Sequence, residues 1–144
     1  MNPEEVQAKL THLANAIAAL RRLPLQSLED FRADDRNVDA GLRRLQVAIQ
    51  VLIDVGSHVV AQLGLGAPET SRELLQMLES AGHLPEGSTQ KYGRIFAFRN
   101  RIVHLYDRVD DATVYAIIKD DLGDLDALAR HYIDALSSVE PRRD

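Results

Sequence analysis

The sequence predicts an all-α fold, an antiparallel up-and-down bundle of four long helices plus one short helix, and three observations carry that reading. Apolar residues recur at three- and four-residue steps through most of the chain, the segments so marked are joined by short stretches rich in Gly, Pro and Asp, and no run alternates in the manner of a strand. At 144 residues with no Cys, the chain is long enough for one hydrophobic core and has no disulfide to lean on, so a single domain over residues 1–144 is expected.

Val6, Leu10, Leu13, Ile17 and Leu20 form one helical stripe, with Pro3 acceptable in the first turn and Pro24 just beyond the end. A second helix, expected to be the longest, starts at Asn37 or Asp39 and carries Val38, Leu42, Leu45, Ile49, Leu52, Val59 and Leu63. The run Gly64-Leu65-Gly66-Ala67-Pro68 closes it. Thr70 or Ser71 caps a short third helix through Leu74, Leu75 and Leu78, which Gly82 ends. The fourth starts near Ser88 or Thr89 and presents Tyr92, Ile95, Phe96 and Val103. Asp110 or Asp111 caps the fifth, which runs through Val114, Ile117, Ile118, Leu125, Leu128, Ile133 and Leu136, and the tail 138–144 is expected to fray.

Charge narrows the function. A formal net charge of −5 argues against a protein that coats nucleic acid through bulk electrostatics. Between residues 91 and 108, however, Lys91, Arg94, Arg99, Arg101 and Arg108 face the single acid Asp107, a local basic patch on an acidic body. The start Met1-Asn2-Pro3-Glu4-Glu5 lacks the pattern of a secretory signal, and no segment is read as long and apolar enough to span a bilayer. The expected address is cytoplasmic, with no membrane partner.

Within that patch, Arg99-Asn100-Arg101-Ile102-Val103-His104-Leu105-Tyr106 concentrates the polar chemistry at the end of the fourth helix. A histidine titrates near neutral pH and can exchange a proton with a ribose hydroxyl or a leaving oxygen. An arginine grips a phosphate with two parallel donors and stabilises the extra charge of a pentacoordinate transition state. Together they suffice to cleave RNA without a metal or cofactor, the 2′-hydroxyl acting as internal nucleophile; DNA lacks that hydroxyl and should survive. Asn100 and His104 are one turn apart, but positions 99 and 104 are about 140° apart around a straight helix. Either the helix unwinds near His104, or Arg99 reaches around, or a second copy of the chain completes the site across a two-fold axis.

The same string is similar to the Arg-x4-His-x-Tyr signature of the HepT-like toxins, a branch of the HEPN superfamily. Arg44 to Gln50 followed by Ile53 to His58 looks like that family's second helix, and Pro68-Glu69-Thr70 with Leu78, and Asp110 to Tyr115, fall where it has its short third helix and its fifth. The resemblance implies a homodimeric ribonuclease toxin with its site in the dimer cleft. It also implies neutralisation by a cognate minimal nucleotidyltransferase antitoxin of the MntA kind, which transfers AMP to the motif tyrosine. Carried over, Arg99 and His104 are catalytic, Asn100 supports them, and Tyr106 is the AMPylation target.

Structural readings stand beside these. Alone, His104 would read as a helix-end histidine and Tyr106 equally as an amphipathic plug; Arg101 is expected to form an ion pair on a solvated face. Asp54 and His58, four residues apart, are expected to touch as a structural polar pair, the alternatives being part of the cleft or, more remotely, half of a metal site. His12, His83 and His131 are read as incidental. The rival to the nuclease is a noncatalytic helical module that docks a nucleotide, an RNA or an acidic partner on the same basic patch.

Overall fold

A computed structural model describes residues 1–104 and 111–139, apart from the side chains of residues 102–104. Its described residues form six helices: α1 (Pro3–Arg21), α2 (Leu28–Arg32), α3 (Asp35–Gln62), α4 (Ser71–Ser80), α5 (Ser88–His104) and α6 (Asp111–Ser137). The four long helices alternate in direction, as expected for an up-and-down bundle. A second short helix, α2, joins the one expected. Ser27 nucleates it by accepting from the Asp30 backbone at 3.1 Å, and Phe31 anchors it in the core.

Local chemistry sets the other boundaries. Asn2 caps α1 through the Glu5 N–H at 2.8 Å, and Pro3 occupies the first turn where its missing N–H costs nothing. Asp34 caps α3 through the Arg36 N–H at 2.9 Å, so this helix begins before Asn37. Thr70 caps α4 through the Glu73 N–H at 3.0 Å. Helices α3 and α4 end alike: Gly64 and Gly82 take φ of +70° and +81°, and the next N–H returns to a carbonyl five residues back, Leu65 to Val60 at 3.1 Å and His83 to Leu78 at 2.9 Å.

At the centre α3 lies parallel to α6, while α1 and α5 run antiparallel to both. Two glycines permit the close α3/α6 approach. A Cβ at Gly41 would meet the Ile118 side chain at 2.8 Å, and one at Gly56 would collide with the Tyr132 hydroxyl and crowd Leu74. Leu45, Ile49, Leu52, Val55 and Val59 of α3 are buried against Leu13, Ile17 and Leu20 of α1 and Val114, Leu125 and Leu128 of α6.

Contrary to the sequence expectation, α3 is long and apolar enough by length and composition to cross a membrane. Its apolarity has a local cause: as the central helix it has neighbours on several sides and buries residues toward each.

Candidate active site

Helix α5 starts on a carboxylate. Glu79 of α4 accepts the Thr89 N–H at 2.6 Å and the Gly87 N–H at 3.2 Å, bonds that hold its carboxyl below the ordinary range. Tyr92, Ile95, Phe96 and Phe98 are buried and fix the helix against the bundle. Its first two cations are neutralised by α6: Lys91 lies 3.3 Å from Asp124, and Arg94 lies 3.2 Å from the largely buried Asp121. The steps of three on two antiparallel helices match, which is why both pairs form together.

The other end differs. Arg99 is half-buried, Asn100 and Arg101 are exposed, and among the described residues none of the three has an ion-pair or side-chain hydrogen-bond partner. The expectation of an ion pair at Arg101 is therefore corrected for the described residues: the acids of α6 that face α5 are set at other levels, and Asp121 is already held by Arg94. Arg101 instead lines an open groove of about 700 Å³ between α5 and α6, with Phe98, Ala116, Ile117 and Asp120.

Helix α5 continues through His104, so it does not unwind before the histidine. On a continuous helix positions 99 and 104 stay about 140° apart, which leaves reach-around or a second copy to bring them together. The His104 side chain and Tyr106 lie outside the described residues.

Asp54 and His58 do not pair. Asp54 accepts from the Gln50 amide at 2.8 Å and faces the Lys9 ammonium at 3.6 Å. His58 lines a separate groove of about 350 Å³ between α1 and α6, with Val6, Leu10, Ile133 and Leu136. Burial pushes its imidazole below the ordinary value, the N-terminal ammonium adds to this, and Glu5 opposes it. From the registers Gly56/Tyr132 and Arg94/Asp121, Asp54 sits about 14 residues of helix below Arg99, roughly 20 Å along the bundle. Within one protomer these residues lie away from Arg99. Among the described residues, no group of three or more His, Asp or Glu is placed to hold a metal.

The missed feature was the partnering of the patch by Asp121 and Asp124. The spacing of these acids was visible in the sequence, but pairing them with α5 required the helix register.

With this geometry in hand, the family model for HepT-like ribonucleases ("Ribonuclease HepT-like") matches residues 13–132, from within α1 to within α6. The chain belongs to the HepT-like ribonuclease family. This HepT-like chain is 24% identical over 144 residues to the tRNA nuclease HepT of Aphanizomenon flos-aquae, covering 100% of this chain and 98% of that protein. It is also 24% identical over 96 residues to the mRNA nuclease HepT of Shewanella oneidensis, covering 67% of this chain and 72% of that one. Among solved structures, the tri-AMPylated HEPN toxin of Shewanella oneidensis in complex with MNT antitoxin superposes with a TM-score of 0.79 at 21% identity, covering 96% of this chain and 99% of that chain. The HepT-like fold therefore extends over almost the whole molecule.

Proposed function

We propose that this HepT-like chain is the toxin of a HEPN/MNT toxin–antitoxin pair, a metal-independent endoribonuclease whose site is completed in the cleft of a homodimer. One observation supports this assignment of residues above the rest. On a helix whose first two cations are paired with α6, Arg99 is half-buried and has no partner among the described residues at the end that carries His104. An arginine held without a carboxylate is available to an anion, and partial burial strengthens its grip by removing competing water.

In the reaction, His104 takes the proton of the ribose 2′-hydroxyl as the 2′-oxygen bonds to phosphorus. The bond to the 5′-oxygen breaks and that oxygen takes a proton from water while the imidazolium returns its own to water, leaving a 2′,3′-cyclic phosphate and a 5′-hydroxyl. Arg99 donates to the nonbridging oxygens, where charge accumulates. Asn100, exposed one turn before His104, orients the substrate or the imidazole. Because the guanidinium supplies the charge stabilisation, the reaction calls for no metal and no cofactor. RNA is the substrate and the cytoplasm the compartment, and DNA, without the 2′-hydroxyl, survives.

Tyr106 is the site of control. A nucleotidyltransferase antitoxin of the MntA kind transfers AMP from ATP to its hydroxyl, releasing pyrophosphate. The adenylate places bulk and negative charge beside a site that receives phosphate. The state of the Shewanella oneidensis toxin, tri-AMPylated in complex with its MNT antitoxin, supports this reading.

The test is RNA cleavage by purified protein in EDTA. Wild type should leave cyclic-phosphate ends, His104→Ala should leave RNA intact, and a 2′-deoxy substitution at the cut should block it. Identical products from wild type and His104→Ala, or loss of cleavage in EDTA, would favour a noncatalytic binding module or metal chemistry. Mass spectrometry after incubation with ATP, magnesium and the antitoxin should find the adenylate on Tyr106; inhibition of unmodified protein would indicate occlusion instead.

A further inference from the structure

The α5/α6 groove is unaccounted for by the cleavage chemistry, and it adjoins the catalytic end of α5. The pairs Lys91–Asp124 and Arg94–Asp121 set the register of its two walls. In that register Arg101 lies level with Val114 and Asp120 lies level with Ile95. These two charges, without an ion-pair partner among the described residues, are thus separated by about six residues of helix, about 9 Å along the groove, on opposite walls. Between them Phe98 and Ile117 supply an apolar floor, and the small side chains of Ala97 and Ala116 leave the groove open. Arg94 contributes no free charge, because Asp121 holds it. The groove is polarised as a result: a cation nearest the scissile site, an apolar middle, and a carboxylate at the far end.

Arg101 and Arg99 are two residues apart on one continuous helix, about 200° around its axis. They project to opposite sides, so they do not grip the same phosphate. If Arg99 takes the scissile phosphate, Arg101 is left for a phosphate further along the strand. A carboxylate repels phosphates but accepts from the amino and ring N–H donors of a base.

We propose that this groove is a nucleotide subsite for RNA flanking the cut, with Arg101 binding the flanking phosphate, the Phe98–Ile117 floor receiving the base, and Asp120 reading its donor edge. The proposal rests on the ribonuclease reading and adds base selection to it. Guanine offers a carboxylate two adjacent donors, a ring N–H and an amino group. Cytosine and adenine offer an amino group, while uracil offers one ring N–H between two carbonyl oxygens that repel it. Guanine at the flanking position should therefore be preferred and uracil disfavoured.

The volume, about 700 Å³, is of the size that small-molecule ligands fill. The open cleft between Arg101 and Asp120 suits one base and its phosphate better than the flat face of another subunit. The competing occupant, a second copy of this chain, is an outcome of the test.

The experiment compares wild type, Arg101→Ala, Arg101→Lys and Asp120→Ala on RNA oligonucleotides that differ only at the base flanking the cut. Arg101→Ala should raise KM about tenfold with kcat within about twofold, and should lower the salt slope of RNA binding by about one. Arg101→Lys should retain that salt slope. Wild type should favour guanine over uracil by about tenfold, and Asp120→Ala should erase this preference, weakening guanine substrates while uracil substrates are cut at least as well as by wild type. An Arg101→Ala protein with unchanged KM and salt slope, or an Asp120→Ala protein with unchanged base preference, overturns the subsite. If either variant sediments as a monomer where wild type is a dimer, the groove is a subunit interface and the proposal fails. If wild type cuts no RNA, the nuclease reading fails separately, and the groove is judged on binding of the labelled oligonucleotides, where equal affinity of wild type and Arg101→Ala overturns it.

Discussion

The two halves of α5 use the same residue types to opposite ends. Near its start, Lys91 and Arg94 are answered by Asp124 and Asp121, and Glu79 closes the first turn. Near its end, Arg99 and Arg101 have no partner among the described residues. A cation already paired across two helices fixes their register. One left unpaired keeps its charge for a ligand. Sequence composition reports all of these cations as one basic patch, and only the packing separates those that hold the fold from those free to act.

Substitutions in the two halves should therefore fail in different ways. The largest effect is expected at Arg99: Arg99→Ala should lower kcat about 100-fold or more with the helical circular dichroism spectrum unchanged, and Arg99→Lys should not restore it, because the ammonium lacks the planar fork. Arg94→Ala should keep kcat within a few-fold. If Arg94→Ala is as inactive as Arg99→Ala, the division of the helix is wrong.

The scaffold should answer in stability instead of rate. Gly56→Ala pushes a methyl group into the Tyr132 hydroxyl and Leu74 and should cost about 1–3 kcal/mol in denaturant unfolding. The Tyr132 hydroxyl is buried without a partner among the described residues, so Tyr132→Phe should be neutral or stabilising by about 1 kcal/mol and should lessen the penalty of Gly56→Ala. Removing Arg94 is expected to cost about 1–2 kcal/mol: the arginine is 62% exposed, which weakens the pair, but its loss leaves the largely buried Asp121 carboxylate unpaired.

The smallest effect is a pH dependence. The folded protein holds His58 below its ordinary value of 6.5, so between the two values the unfolded chain binds more protons. Stability is therefore fully present above pH 6.5 and declines as pH falls through that value toward the folded one. His58→Gln should flatten this decline in unfolding curves measured between pH 5 and 7.5, and an unchanged slope would place its origin elsewhere.

Much of this was legible in the sequence. Stripes such as Val6, Leu13, Ile17 and Leu20 located the long helices because burial on one face leaves a helical period, and all four are buried. Helix α2 escaped because its five residues bury only Phe31, too few to show a period; its Ser27 cap was the available signal. The start of α3 was placed late because Asp34, Asn37 and Asp39 are all plausible caps, and geometry at Asp34 decides among them. Asp54 and His58 have the spacing of a pair, but Gln50 and Lys9 compete for the carboxylate and win. The ion pairs of α5 span 27 and 33 residues, so they depend on a register that no local pattern encodes.

The central claim is that Arg99 and His104 act on one phosphate although a continuous helix sets them about 140° apart, because a second subunit closes the site. The direct measurement mixes Arg99→Ala and His104→Ala proteins, each inactive alone, lets their subunits exchange, and follows RNA cleavage. Recovery of cleavage in the mixture is the predicted result, since a mixed dimer holds one intact guanidinium and one intact imidazole across its cleft. A mixture that forms mixed dimers yet stays inactive, beside wild type that cuts, would contradict it.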